Sequence, residues 1–284
     1  MSTAKHYLSL IKFSHTIFAL PFAMIGFVLA LNTNHTFQLK LFILVVLCMV
    51  FARTAAMAFN RYIDRHFDKL NPRTAVREIP AGVINPTNAL LFVIINCALF
   101  VTATYFINTI CFYLSPVDLF VVLFYSYTKR FTPLCHLVLG VGLALAPIGS
   151  YLAVTGEFNW LPLLFSFTVF CWVSGFDIIY ALQDQEFDKE NKLKSIPVLL
   201  GTKNALLVSK LLHFLSFSFI VIAGVYGHFN VVYWIGVSLF SGLLIYQHSL
   251  VKPTDLSKIN LAFFTTNGIA SVVFAVCTIA SFYI

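Results

Sequence analysis

Charge is what this chain has least of. Only 10% of its 284 residues are charged while 60% are hydrophobic, and the mean hydropathy is +0.89. A soluble domain, in which about a quarter of residues are charged, is excluded. The composition is that of an all-α integral membrane protein with several spans. Paired cysteines are also missing. The six Cys (48, 97, 111, 135, 171, 277) fall in or beside apolar runs without a CxxC spacing, which excludes a zinc site or a disulfide framework. No small-x-small cleavage site follows Lys5 and Lys12. The apolar run from Phe13 to Leu31 is too long for a signal-peptide core and reads as the first span.

A spanning helix takes about 20 mostly apolar residues. Nine stretches qualify: 13–31, 39–60, 88–107, 110–127, 134–154, 161–182, 204–227, 230–250 and 260–283. The net charge of +7 suggests no nucleic acid, because the bases sit in short loops between spans. They fill alternate loops: Arg61, Arg65, Lys69, Arg73 and Arg77; Lys129 and Arg130; Lys189, Lys192, Lys194 and Lys203; Lys252 and Lys258. The intervening loops hold little beyond Lys40. That alternation places the N-terminus and the basic loops on the cytoplasmic side.

Two of these loops also carry acids in pairs. Asp64 and Asp68 are four apart, so a helix sets both on one face with Asn60 a turn earlier. Asp184 and Asp188 repeat the spacing. Hard oxygen ligands on one face suit Mg²⁺, which takes one or two carboxylates and completes its shell with substrate phosphates. Carboxylates alone would repel a diphosphate, so this reading requires the metal. A pair of solvated helix ends is the plain alternative.

The pairs are parts of an internal repeat. Arg77-Glu78-Ile79-Pro80 and Asn88-Ala89-Leu90-Leu91 follow the first; Lys194-Ser195-Ile196-Pro197 and Asn204-Ala205-Leu206-Leu207 follow the second. The carboxylates, Ile-Pro and Asn-Ala-Leu-Leu recur at offsets of 120, 117 and 116 positions. Each half is therefore expected to contribute one loop to a shared site. Arg73, Arg77, Lys129 and Lys194 can hold phosphate oxygens, Arg bidentately; orientation and headgroup contact are the alternative for any single base.

Two ionisable residues lie deeper. Arg53 precedes Asn60 by seven residues and Asp177 precedes Asp184 by seven, with Tyr180 between the two acids. An intramembrane Arg faces a cavity or a partner, and its fork suits the carboxylate of an aromatic acid; a structural Arg53–Asp177 ion pair is the alternative. Asp118, after Pro116, falls outside the repeat and is expected in a local hydrogen-bonding or span-end role. His66 lies on another helical face than the acids, His15 is a weaker cavity candidate, and His136 and His213 read as span-end residues. The 31 Phe and 12 Tyr pack helices and face lipid, and some can stabilise an allylic cation.

These motifs resemble the UbiA family of intramembrane prenyltransferases across essentially the whole chain. The family's N-(D)-x-x-D-x-x-x-D run with R-T-x-x-R-x-x-P-x-G is matched by Asn60, Asp64, Asp68, Arg73-Thr74, Arg77, Pro80 and Gly82. Its D-x-x-Y-A-x-x-D-x-x-x-D run with K-S is matched by Asp177, Tyr180-Ala181, Asp184, Asp188 and Lys194-Ser195. The Tyr125 to Thr132 segment, with Lys129 and Arg130, also fits. Arg61 departs, since many members have Asp there.

The resemblance implies one UbiA-type membrane domain over 1–284, a nine-helix bundle with two pseudo-repeated halves. It implies Mg²⁺ on Asp64, Asp68, Asp184 and Asp188, with Asp177 as a fifth catalytic acid. Arg53, Asn60, Arg73, Arg77, Lys129, Tyr180 and Lys194 would bind substrates. The reaction implied is loss of diphosphate from a polyprenyl diphosphate, followed by alkylation of a ring carbon of a hydroxylated aromatic acid. Arg53 matches the arginine of 4-hydroxybenzoate-type enzymes of respiratory quinone synthesis. Lys12 to Pro21, by contrast, looks like the subgroup that prenylates 1,4-dihydroxy-6-naphthoate on the futalosine route to menaquinone. Arg53 and the Tyr-Ala-x-x-Asp signature argue against haem farnesylation. Acids clustered at one membrane edge argue against a transporter. The expected setting is the bacterial cytoplasmic membrane, with no required protein partner.

Overall fold

The computed structural model describes residues 3–11, 18–33 and 36–284, all α-helical apart from turns, short 3₁₀ and π segments and one isolated bridge. Residues 12–17, including Lys12, His15 and the start of the expected first span, lie outside the described residues. Among the described residues, eight helices are long and apolar enough to cross a membrane. The described part of the first span is the helix Leu20–Leu31, twelve residues long. At 1.5 Å per residue that helix measures about 18 Å, less than a hydrocarbon core of about 30 Å. Internal contacts divide the chain into two compact units, each holding one acidic pair.

The first unit contains α1 (Thr3–Leu10), α3 (Leu39–Leu70), α4 (Pro86–Ile107) and α5 (Thr109–Thr128). Its core gathers Leu10, Ile11, Ala55, Ala58, Ile79, Ile84, Ala89 and Val93. The small Ala55 and Ala58 let backbones approach closely, as membrane helices do without a hydrophobic drive between them. The 32 residues of α3 extend about 48 Å, so the last turns outrun the bilayer core and lift Asn60 to Asp68 to its edge. The Asn71 N–H, bonded to Phe67 O at 3.1 Å, closes the helix. A looped segment then returns to α4, which starts where the Asn85 side chain accepts from the Thr87 N–H and Pro86 occupies the first turn.

The second unit contains α2 (Leu20–Leu31), α6 (Cys135–Thr155), α7 (Trp160–Ala181), α8 (Gln185–Glu190), α9 (Ile196–Tyr226), α10 (Val231–Leu250) and α11 (Asn267–Ala280). Aromatic side chains fill its core around Phe22, Phe165, Trp172, Tyr233, Phe240 and Phe274. Buried polar groups join helix to helix. Trp172 Nε1 donates to Asn267 Oδ1 at 2.9 Å, Ser150 Oγ to Ala23 O at 2.6 Å, and Ser209 Oγ to Gly175 O at 2.7 Å. At Gly26 the helices meet so closely that an added Cβ would collide with the Pro147 carbonyl and lie 2.6 Å from Ser150 Oγ.

The spans expected over 39–60 and 204–227 are longer than their hydropathy suggests. Helix α3 continues through the acidic motif to Leu70. Helix α9 begins at Ile196, where Ser195 caps the Val198 N–H and Pro197 sits in the first turn. It is broken at Gly201, with φ 73° and ψ 165°, a backbone shape reserved for glycine.

Candidate active site

In the first unit the helical spacing of the acids holds. Asn60 Nδ2 donates to Asp64 Oδ2 at 3.0 Å, one turn on. Asp68, another turn on, is buried at 6% exposure, and its Oδ1 lies 2.6 Å from Arg77 Nη1. Thr74 Oγ1 donates to Asp68 O at 3.0 Å and Asn71 Oδ1 accepts from the Arg73 N–H at 3.0 Å. These bonds fold the Arg73–Arg77 loop back onto the end of α3, which is how a motif arginine nine residues away reaches the acid. Asp68 Oδ2 is buried with no hydrogen-bond partner. Further into the same helix, Arg53 Nε and Nη2 are buried and likewise unpartnered among the described residues. Arg65 is committed elsewhere: its guanidinium lies 4.5 Å over the Tyr62 ring and donates to Tyr62 O at 2.6 Å.

Arg61, read from sequence as a loop base and as a departure from the family motif, is 6% exposed and within electrostatic reach of Asp68, Arg77 and Glu78. Its place inside the motif was the available signal. His66 is exposed, as its helical face predicts.

The second unit arrives at a similar arrangement by different means. Asp184 ends a 3₁₀ turn, Leu182–Asp184, and Asp188 lies in the short α8, so this pair does not sit on one continuous α-helix. Asp188 is fully buried. The partner of its Oδ1 is Lys129 Nζ, 2.7 Å away and 59 positions earlier; its Oδ2 is unpartnered among the described residues. Lys194 binds a loop in place of an open position. Its N–H donates to Lys129 O at 2.7 Å and its Nζ to Phe131 O at 3.1 Å. Cys135 Sγ lies 3.7 Å from Lys194 O. Together these contacts staple the 129–135 segment to the 189–195 segment. Tyr180 stacks on Phe263 with centroids 4.1 Å apart.

His136 stands at a span end as expected, the second residue of α6, but it is 3% exposed and bonds Asp177 with Nδ1 2.7 Å from Oδ2. Two other residues lie deeper than a span end. His213 lies midway along α9, 2.9 Å from His248 and 3.2 Å from Trp172 O. Asp118 sits in the middle of α5, within electrostatic reach of Cys48. Sequence spacing could not reveal these partners, because each bond joins two different helices or rests on how two helices pack.

The donors fit a hard divalent ion. Each unit offers a carboxylate pair in which one oxygen of the second Asp is held by a cation and the other is buried without a partner among the described residues. Among the described residues no three His, Cys, Asp or Glu side chains form a metal cluster. An ion on either pair would therefore draw its other ligands from phosphate or water, as Mg²⁺ does.

Eight apolar spans among the described residues, with a cation-clamped carboxylate pair in each unit, define a polytopic membrane protein. More narrowly, the chain belongs to the UbiA prenyltransferase family, whose profile matches residues 19–269, and it is an enzyme of that family. It is 30% identical over 234 residues to a protein named 4-hydroxybenzoate octaprenyltransferase from Francisella tularensis subsp. mediasiatica, covering 81% of each chain. A UbiA homologue from Aeropyrum pernix K1, solved in its apo form, superposes with a TM-score of 0.81 at 30% identity, covering 95% of this chain and 97% of that one. A UbiA homologue from Archaeoglobus fulgidus, solved bound to DMAPP and Mg²⁺, shares the fold with a TM-score of 0.74 at 22% identity, covering 98% and 99%.

Proposed function

We propose that this enzyme transfers a polyprenyl group from a polyprenyl diphosphate to a ring carbon of a hydroxylated aromatic acid of the 4-hydroxybenzoate type, in respiratory quinone biosynthesis. The observation that carries this reading is Arg53. Its Nε and Nη2 are buried within an apolar span with no partner among the described residues. An arginine so placed calls for an anion, and an otherwise apolar aromatic carboxylate meets both demands of the surroundings. The name of the Francisella relative supports the same acceptor.

The whole chain, 1–284, is assigned as one catalytic domain. We assign Mg²⁺ to Asp64 and Asp68 in one unit and to Asp184 and Asp188 in the other; the Archaeoglobus protein of this fold was solved with Mg²⁺ and DMAPP. These carboxylates would hold the ion, whose charge would offset that of the phosphate oxygens and favour diphosphate as a leaving group, an effect worth several kcal/mol. Asn60 orients Asp64 through its 3.0 Å bond. Arg77 and Lys129 hold Asp68 and Asp188, and with Arg73 they supply positive charge for the phosphates. Lys194 serves through the loop it holds. Tyr180, stacked on Phe263, offers a ring face to developing allylic charge. The basic loops would face the cytoplasm across a bacterial cytoplasmic membrane.

A second acceptor, 1,4-dihydroxy-6-naphthoate, is favoured by the Lys12 to Pro21 segment. Purified protein in detergent with Mg²⁺, octaprenyl diphosphate and the two acceptors in parallel separates the readings. Prenylated 4-hydroxybenzoate is the expected product. Prenylated naphthoate alone would move the enzyme to menaquinone synthesis, and no product from either would refute the aromatic-acid assignment.

A further inference from the structure

His136 on α6 and Asp177 on α7 meet at 2.7 Å between Nδ1 and Oδ2. A carboxylate can only accept, so the hydrogen of this bond belongs to Nδ1. In the neutral ring that leaves Nε2 with a lone pair. Nε2 is buried and has no hydrogen-bond partner among the described residues, and the whole side chain is 3% exposed. The helix that carries it begins six residues after Lys129, in the same unit as the Lys129–Asp188 pair. A buried acceptor that the protein itself does not satisfy, tuned by an acid behind it, has the geometry of a general base.

The reaction proposed above gains from one, because taking the hydroxyl proton makes the phenol ring carbon more nucleophilic, and no residue assigned so far takes that proton. We infer that His136 Nε2 accepts the proton of the acceptor's ring hydroxyl, with Asp177 as the positioning residue that sets its tautomer. This rests on the hydroxylated aromatic acid as acceptor. As the allylic C–O bond breaks, its electron pair leaves on the diphosphate. The new C–C bond forms from a ring electron pair pushed by the oxygen, whose proton passes to Nε2. The resulting dienone becomes aromatic when the proton on the substituted carbon passes to the released diphosphate and Nε2 returns its proton to the oxygen. The base is thereby restored, and one proton leaves with the diphosphate.

The test compares wild type with His136→Gln, whose amide can still bond Asp177 but cannot take a proton. With 4-hydroxybenzoate, kcat is expected to fall about 10²-fold or more while the acceptor KM changes little. With 3-fluoro-4-hydroxybenzoate, whose hydroxyl is more acidic and needs the base less, the ratio of wild-type to variant rates should shrink several-fold. An equal ratio for both acceptors, or a variant as fast as wild type, would overturn the assignment. If His136→Gln does not fold in detergent, Asp177→Asn receives the same comparison with the same two outcomes. Wild type that prenylates neither acceptor would overturn the aromatic-acid reading itself, and this inference with it.

Discussion

Lys129 and Asp188 are 59 positions apart in sequence and 2.7 Å apart in space, the lysine one third exposed and the aspartate wholly buried. Deleting the cation leaves a buried charge without its partner. Lys129→Ala is therefore expected to cost about 3 kcal/mol of stability, the low end for a broken buried pair because Lys129 is itself partly solvated. Thermal unfolding in detergent reads this directly. The double variant Lys129→Ala with Asp188→Asn should regain most of that stability and remain inactive. A double variant as unstable as the single one would mean that the pair is not what holds the segment.

Removal of divalent metal with EDTA should abolish prenyl transfer, and added Mg²⁺ should restore it. Asp64→Ala and Asp184→Ala should each lower turnover by at least the ~10²–10³-fold typical of losing one transition-state stabiliser. Near-normal turnover in either variant would remove that residue from the metal assignment.

Arg53→Ala should chiefly raise the KM for the aromatic acid and leave the KM for the polyprenyl diphosphate near its original value. An acceptor KM that does not move would return Arg53 to a structural role. Arg53→Lys should recover the charge but only part of the affinity, because an ammonium lacks the planar fork.

Packing makes a separate prediction at Gly26. Any Cβ there meets the Pro147 carbonyl and Ser150 Oγ, and backbone cannot withdraw as a side chain can. Gly26→Val should lower the yield of folded protein and its unfolding temperature, with overpacking costing about 1–3 kcal/mol or more. Gly242→Ala, where an added Cβ meets nothing within 4 Å, is the matched control and should behave as wild type.

How much could be read in advance depended on whether a feature was local. Asp64, Asp68 and Asn60 share a face because one uninterrupted helix carries them, and a 3.6-residue period is visible in sequence. Asp184 and Asp188 have the same spacing, yet a 3₁₀ turn interrupts their helix, and no Gly or Pro between them marks it. Span positions followed hydropathy. The true start of α9 did not, since Ser195 and Pro197 set it and the Gly201 break hides it. His136 stands at a span end as read, but its partner is 41 positions away, and only helix packing brings the two together. Lys194 read as a phosphate ligand by its place in a motif; its actual acceptors are carbonyls across the loop.

The staple between residues 129–135 and 189–195 bears on how this enzyme can be recombined with its relatives. Each segment supplies bonds that the other completes: Lys194 reaches Lys129 O and Phe131 O, and Cys135 reaches Lys194 O. A chimera that imports one segment alone inherits half of each bond, and Asp188 then loses the placement of its lysine. The two segments, distant in the gene, are thus one inherited part, and exchanges of specificity between family members should carry them together.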